Sequence, residues 1–244
     1  MIFVVLPAYN EQKSIPLLFE RIGSTFRKFP HDYRIILVDD GSRDDTLKMA
    51  TLLKETMPVE TLVHPVNKGL GEALKTGLVY ATNLAGNSDV IITMDTDNTH
   101  DPDLMPQMHR KILEGCDMVI ASRYVKNGRV IGVPHLRRFL GRAASLLFRI
   151  FFPITGVRDY TCGYRAYRAT LLKKAFQEYD NIFISQSGFS CQVDILLKLR
   201  RFKPFVCEVP IVLKYDERRG LSKMKVGKTI RETLLLFFHQ LFTT

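Results

Sequence analysis

The stretch Asp89-Val90-Ile91-Ile92-Thr93-Met94, followed at once by Asp95-Thr96-Asp97, decides the fold class. Its apolar residues do not alternate with polar ones, so a strand made from them is covered on both faces, as in a parallel sheet packed between helices. Working outward from residues 89–94, runs of the same character occur at 2–6, 34–38, 59–63 and 117–121. Helical spacing fills the intervals. Leu18, Ile22 and Phe26 recur at i, i+4 and i+8 behind Ser14 and Pro16; Leu47, Ala50 and Leu53 follow Ser42, with Asp45 completing a capping box; Leu70, Leu74 and Leu78 follow Asn67-Lys68-Gly69. Strand alternating with helix predicts an α/β fold, with a mostly parallel central sheet flanked by helices.

A chain of 244 residues buries enough surface to fold without staples. Apolar residues at 46% and charged residues at 25% are ordinary for a globular domain. The net charge of +10 is not, and it calls for a polyanionic partner. Cys116, Cys162, Cys191 and Cys207 are widely spaced, with no CxxC pair and no histidine at zinc-finger spacing. That argues against a metal or disulfide framework and for a reducing compartment. Met1-Ile2-Phe3-Val4-Val5 enters a strand pattern without a basic leader, which argues against a signal peptide. No window reaches the roughly 18 apolar residues of a membrane span.

Beyond residue 121 the character changes. Residues 118–158 contain no acid and eight Lys or Arg. Within them, 136–152 reads as an amphipathic helix, with Arg138, Arg142, Ser145 and Arg149 on one stripe opposite Phe139, Leu140, Ala143, Leu147 and Phe151. A strand pattern at 205–213 leads to a basic loop (Arg218, Arg219, Lys223, Lys225), then to a helical run through Val226, Ile230, Leu234, Phe238 and Leu241. A basic amphipathic helix either covers a core or lies on an anionic leaflet, and the apolar tail favours the leaflet.

Three acidic strand ends carry the chemistry. Asp95 and Asp97 can converge where a strand turns, and Mg²⁺ or Mn²⁺ accepts one or two carboxylates plus phosphate oxygens. Alone, the pair is a weak signal and reads first as a loop cap. Val38-Asp39-Asp40-Gly41-Ser42 and Pro7-Ala8-Tyr9-Asn10-Glu11 follow two other strands, where open α/β sheets bind their ligands. Gly41 permits a sharp turn there.

These segments, with Asn67-Lys68-Gly69-Leu70-Gly71 and Ser122-Arg123-Tyr124, resemble the inverting family 2 glycosyltransferases of GT-A fold. Asp159-Tyr160-Thr161-Cys162-Gly163-Tyr164-Arg165, Glu208-Val209-Pro210-Ile211 and Gly220-Leu221-Ser222-Lys223 resemble the dolichyl-phosphate mannose synthase and polyprenyl-phosphate hexosyltransferase branch. The resemblance covers essentially the whole chain. It implies a GT-A domain over 1–215, with a nucleotide-sugar half (1–121) and an acceptor half (122–215), and a basic loop and membrane-associating helix over 216–244.

It further implies that Pro7, Tyr9, Glu11, Val38 and Asp40 surround the nucleoside, with Ala8, Asp39 and Lys68 on the same donor side. Asp95 and Asp97 are implied to flank the metal, Mg²⁺ or Mn²⁺, and the diphosphate, helped by Met94 and Thr96. Arg123, Arg137, Arg218 and Lys223 are implied to bind donor and acceptor phosphates, with Asp95, Asp97 and Arg123 as the catalytic set. There are three departures. Thr99 stands where a metal-completing glutamine is common, so its ligand role is weaker or runs through water. Glu217 replaces an arginine, for which Arg218 or Arg219 must substitute. Gly141 replaces a residue that can carry a hydroxyl.

The expected reaction is inverting transfer of a hexose, mannose from GDP-mannose by overall resemblance, to a dolichyl or polyprenyl phosphate at the cytoplasmic side of a membrane. A phosphate monoester, with a second pKa of about 6, needs no general base. It does need cations, because two unit charges 4 Å apart repel by roughly 4 kcal/mol at an effective dielectric near 20. One rival is a family 2 enzyme using a UDP-sugar or a hydroxyl acceptor, which would recruit Asp159 or Asp194 as base. The other is a non-catalytic nucleic-acid-binding module, which the charge alone suggests; no nucleic-acid motif appears, and none of the acidic strand ends would then have a purpose.

Overall fold

The computed structural model describes residues 1–215 and 226–243, apart from the side chains of Arg137 and Thr243. Elements in chain order are β1 (Ile2–Ala8), α1 (Ile15–Lys28), β2 (Tyr33–Asp39), α2 (Thr46–Leu52), β3 (Val59–Val63), α3 (Leu70–Leu84), β4 (Val90–Thr93), α4 (Met105–Leu113) and β5 (Met118–Ser122). They continue as β6 (Arg129–Ile131), α5 (His135–Phe151), β7 (Arg165–Arg168), α6 (Ala169–Tyr179), α7 (Cys191–Leu199), β8 (Val206–Pro210), β9 (Val212–Lys214) and α8 (Val226–Thr243). The main sheet has the order β3-β2-β1-β4-β7-β5-β8, and β6 pairs with β9 beside it. Every strand-to-strand pairing in the main sheet is parallel except those of β7, which runs antiparallel to β4 and β5.

The unbroken apolar runs are buried as their composition requires: β4 and β5 are buried at every position and β1 at all but Pro7. Helix α3 packs on β1 and β2, and α4 on β5 and β7. Register brings the chemistry together. Ala8 pairs with Asp39, Asp39 with Val63, and Val5 with Thr93, so the acidic segments leave one edge of one sheet. At the next position Asp40 N donates to the Ala8 carbonyl at 2.8 Å.

Three expectations need correction. First, α2 starts at Thr46, not Ser42. The Asp44 carboxylate accepts from Thr46 N at 3.0 Å, while Ser42 Oγ accepts from Asn10 N at 2.9 Å; the capping box gives way to a tie between the two acidic loops. Second, Cys116 and Cys207 are joined as a disulfide, with Cα atoms 6.1 Å apart. They lie 91 residues apart in the chain, but Cys116 just precedes β5 and Cys207 is on its neighbour β8, a proximity that spacing alone does not reveal. Third, Ser145 of α5 points inward rather than lying on an outer polar stripe. It is buried with Phe148, and its hydroxyl accepts from Tyr160 N at 3.3 Å.

A consequence follows from the third. α5 touches the core along a narrow line, so its apolar flank is left outside: Leu136 is 70% exposed, Phe139 67% and Ile150 63%. Helix α8 lies against α5 through Phe237, which meets Phe151 edge-on at 5.1 Å, and its own Leu235, Phe238 and Phe242 are also exposed. Among the described residues, no helix is long and apolar enough to cross a membrane.

Candidate active site

Two cavities open at the acidic edge of the sheet. The first, of about 710 Å³, is lined by Pro7, Ala8, Tyr9 and Glu11 after β1, Asp40 after β2, Lys68 before α3, and Asp95, Thr96 and Asp97 after β4. Nine residues that the sequence places near a donor and its diphosphate thus share one hollow. Val38, Asp39 and Met94 do not line it. All three are buried in the sheet edge, and Asp39 Oδ2 holds the turn by accepting from Ser42 N at 3.4 Å. At that turn Gly41 has φ +68°, and a Cβ would lie 2.5 Å from the Val66 carbonyl carbon.

Asp40 is already heavily engaged. Its Oδ1 meets His64 Nδ1 at 2.7 Å and accepts from Lys68 N at 2.9 Å; Oδ2 accepts from Gly69 N at 2.8 Å. His64 is in turn held by Thr76 Oγ1 at 2.9 Å from Nε2. A carboxylate offers about four acceptor directions, so one remains for a ligand. Asp40 therefore acts first as the clamp that holds the 67–69 loop over the cavity. His64 carried no signal in the sequence, since its partners lie 24 and 12 residues away.

The loop before α7 closes the same wall. Gly71 N donates to the Ser187 carbonyl at 2.9 Å, and a Cβ on Gly71 would sit 1.8 Å from the Gln186 carbonyl oxygen. Because a backbone carbonyl must move to relieve that overlap, Gly71→Ala is expected to cost about 1–3 kcal/mol of stability, read from a urea unfolding midpoint. An unchanged midpoint would show that the two loops are not in contact.

Asp97 is 8% exposed, and its Oδ1 accepts from Thr99 N at 3.1 Å and from Thr99 Oγ1 at 2.6 Å. Asp95 is more open; its backbone N donates to His100 Nδ1 at 3.2 Å, and His100 stacks on Tyr164 with centroids 5.1 Å apart. That hydrogen bond places the imidazole proton on Nε2, 3.9 Å from Asp95 Oδ2. His100 is thus a buried support for Asp95. Among the described residues no group of three or more His, Cys, Asp or Glu is placed to hold a metal. The donor set of two hard carboxylates nevertheless fits Mg²⁺ or Mn²⁺, which complete their shells with phosphate oxygens and water.

The second cavity, of about 450 Å³, adjoins the first: Asp95, Phe189 and Thr229 line both. Its inner end is polar, with Asp95, Thr99, His100, Arg123 and Thr161, and its walls are apolar, from Leu140 and Leu147 of α5 to Ile230 and Leu234 of α8. Arg123 is fixed there by the fully buried Asp159, through Nε to Oδ2 at 2.7 Å and Nη2 to Oδ1 at 2.6 Å. Asp159 also accepts from the backbone N of Arg123, Thr161 and Cys162. Burial by itself would raise the Asp159 carboxyl, but the Arg123 charge and these hydrogen bonds hold it below the usual carboxylate range. Glu208 Oε1 holds this loop from below, accepting from Arg158 N and Asp159 N, and burial raises its pKa. At Gly141 an added side chain would first meet Tyr124 Oη, 3.3 Å from the Cβ position.

Arg218 and Lys223 lie outside the described residues, as does the side chain of Arg137 on α5. Sequence reasoning missed Ser187, Gly188, Phe189, Lys228, Thr229 and Glu232, which complete the first cavity. Only Lys228 and Glu232, four apart in the tail helix, carried a signal, namely two charges on an otherwise apolar helix.

A parallel sheet with β7 inserted and acids at one edge is the GT-A architecture of nucleotide-sugar transferases. The sequence model described as "Glycosyl transferase family 2" matches residues 3–176, and the chain belongs to this family; it is a glycosyltransferase. A dolichol-phosphate mannosyltransferase of Pyrococcus furiosus is 34% identical over 95% of this chain, which spans 61% of that protein. A polyprenol monophosphomannose synthase of Mycolicibacterium smegmatis is 33% identical, with 95% of this chain and 83% of the relative covered. Among solved structures, glucosyl-3-phosphoglycerate synthase of Mycobacterium tuberculosis with Mn²⁺, UDP and phosphoglyceric acid superposes with a TM-score of 0.66 over 96% of this chain and 77% of that one, at 22% identity. That likeness is one of fold.

Proposed function

We propose that this glycosyltransferase moves mannose from GDP-mannose to the phosphate of a dolichyl or other polyprenyl monophosphate, with inversion, at the cytoplasmic face of a membrane. The observation that carries the reading is the junction at Asp95 of a polar cavity and an apolar-walled one. A nucleotide diphosphate suits the first. A phosphate with a long hydrocarbon chain suits the second, with its headgroup at Arg123 and its chain leaving between α5 and α8. The names of the relatives supply the sugar and the lipid class.

Asp95 and Asp97 would hold Mg²⁺ or Mn²⁺, with Thr99 orienting Asp97. The ion, when bound, supplies charge compensation for the departing diphosphate. Arg123 meets the acceptor phosphate and lowers its repulsion from the donor. An acceptor phosphate oxygen then attacks the anomeric carbon as the bond to the donor diphosphate breaks, and the nucleoside diphosphate leaves. No proton need be removed.

The carboxylates that a hydroxyl acceptor would need are engaged elsewhere. Asp159 is locked to Arg123, and Asp194 is buried against Lys198 at 2.9 Å and Ser185 N at 2.8 Å. The apolar flanks of α5 and α8, with Arg142 and Arg149 exposed beside them, would rest on an anionic leaflet.

Incubation of the protein with labelled GDP-mannose or UDP-glucose, a short polyprenyl phosphate and Mn²⁺ tests the reading. Label from GDP-mannose is expected in the organic phase, sensitive to EDTA. Transfer from UDP-glucose alone would replace the donor, and label confined to a water-soluble product would replace the acceptor. Absence of any EDTA-sensitive nucleotide-sugar binding would favour a non-catalytic module.

A further inference from the structure

Among the described residues, the first cavity is lined by more acidic than basic side chains. Its described walls hold five carboxylates (Glu11, Asp40, Asp95, Asp97 and Glu232) and two ammonium groups, Lys68 and Lys228. A nucleoside diphosphate is itself an anion, and a divalent ion offsets only part of the sum. Lys68 stands on the loop that Asp40 clamps, while Lys228 lines the cavity from the first turn of α8.

Lys228 Nζ lies 3.6 Å from Glu232 Oε1, one helical turn on. Glu232 is the more enclosed partner, at 19% side-chain exposure against 63%, and its carboxylate packs on the Gly188 backbone: a Cβ there would lie 2.3 Å from Oε2. An exposed i,i+4 pair on a free helix contributes little. This pair differs because its acid packs on the 187–189 wall, which places the solvent-exposed ammonium beside the cavity that both residues line. Thr229, between them, lines the acceptor cavity as well.

We propose that Lys228, positioned by Glu232, binds the donor's diphosphate, so that α8 completes the donor site as well as walling the acceptor cavity. The inference rests on the reading of the first cavity as a nucleotide-sugar site. On this proposal the ammonium meets the phosphate distal to the nucleoside, so that a diphosphate gains from it and a monophosphate does not.

Calorimetric titration of the intact chain with GDP and with GMP, both with Mn²⁺, separates the cases. Lys228→Gln is expected to weaken GDP binding about tenfold and leave GMP binding unchanged, with Lys228→Arg restoring most of the loss. Equal weakening of GDP and GMP would show that α8 has merely shifted, and unchanged GDP binding would show that Lys228 is a surface cation; either overturns the proposal. If the wild-type chain binds neither GDP nor UDP, the donor-site reading itself fails, a result distinct from those two.

Discussion

Asp97→Ala is expected to lower kcat by about a thousandfold, measured at saturating donor and acceptor, with unfolding stability nearly unchanged. The carboxylate is held by both donors of Thr99, so its position is fixed before any ligand arrives. Its loss removes half of the two-acid grip proposed for the cation, and with it the charge compensation needed when the diphosphate leaves. Thr99→Val is the informative companion. It keeps the acid but frees its orientation, and a loss of about 10–100-fold is expected, partly recovered by raising Mn²⁺. Near-normal turnover in Asp97→Ala would remove the metal assignment, and with it the donor half of the mechanism.

Arg123→Ala is expected to abolish transfer and also to destabilise the fold by about 3–5 kcal/mol, the usual cost of leaving a buried charge without its partner. Asp159 has no solvent exposure, and Arg123 donates to both of its oxygens. The pH dependence tells this apart from simple cavity formation. In the wild type the folded-state pKa of Asp159 is depressed. Its contribution is therefore present above the unfolded value of about 3.9 and is lost as pH falls through the depressed folded value. In the variant burial acts against the carboxylate without the arginine, so the folded pKa rises above the unfolded one. The added penalty is then small near about pH 4 and grows as pH rises towards neutrality. Urea midpoints of both proteins across that range check the sign, and a variant penalty that is flat with pH would show that Asp159 does not depend on Arg123 for its charge.

Much of the site was legible because strand ends are local events. The residues after β1, β2 and β4 announce themselves by acids that follow an apolar run, and a parallel sheet must deliver them to one edge. The elements missed were short or held by distant partners. β7 is four residues, Arg165–Arg168, with no alternation to mark it, and its antiparallel insertion brings Asp159 to Arg123 across 36 positions of chain. α7 is buried at every position but Lys198, so it shows no amphipathic stripe. On α5, side-chain chemistry indicated an outer polar stripe, whereas contact with Tyr160 and Phe237 turned Ser145 and Phe148 inward and left leucines and phenylalanines outside.

The pattern of apolar runs and acids, by itself, determined an α/β sheet with an acidic edge, because burial on two faces and a turn at a strand end are each encoded within a few residues. Tertiary structure alone decided what those groups do. It committed Asp40 to a loop clamp, placed Cys116 beside Cys207, locked Asp159 to Arg123, and set α8 across both cavities. Each of these depends on a short distance between residues far apart in the chain, and such distances exist only once the sheet order is set.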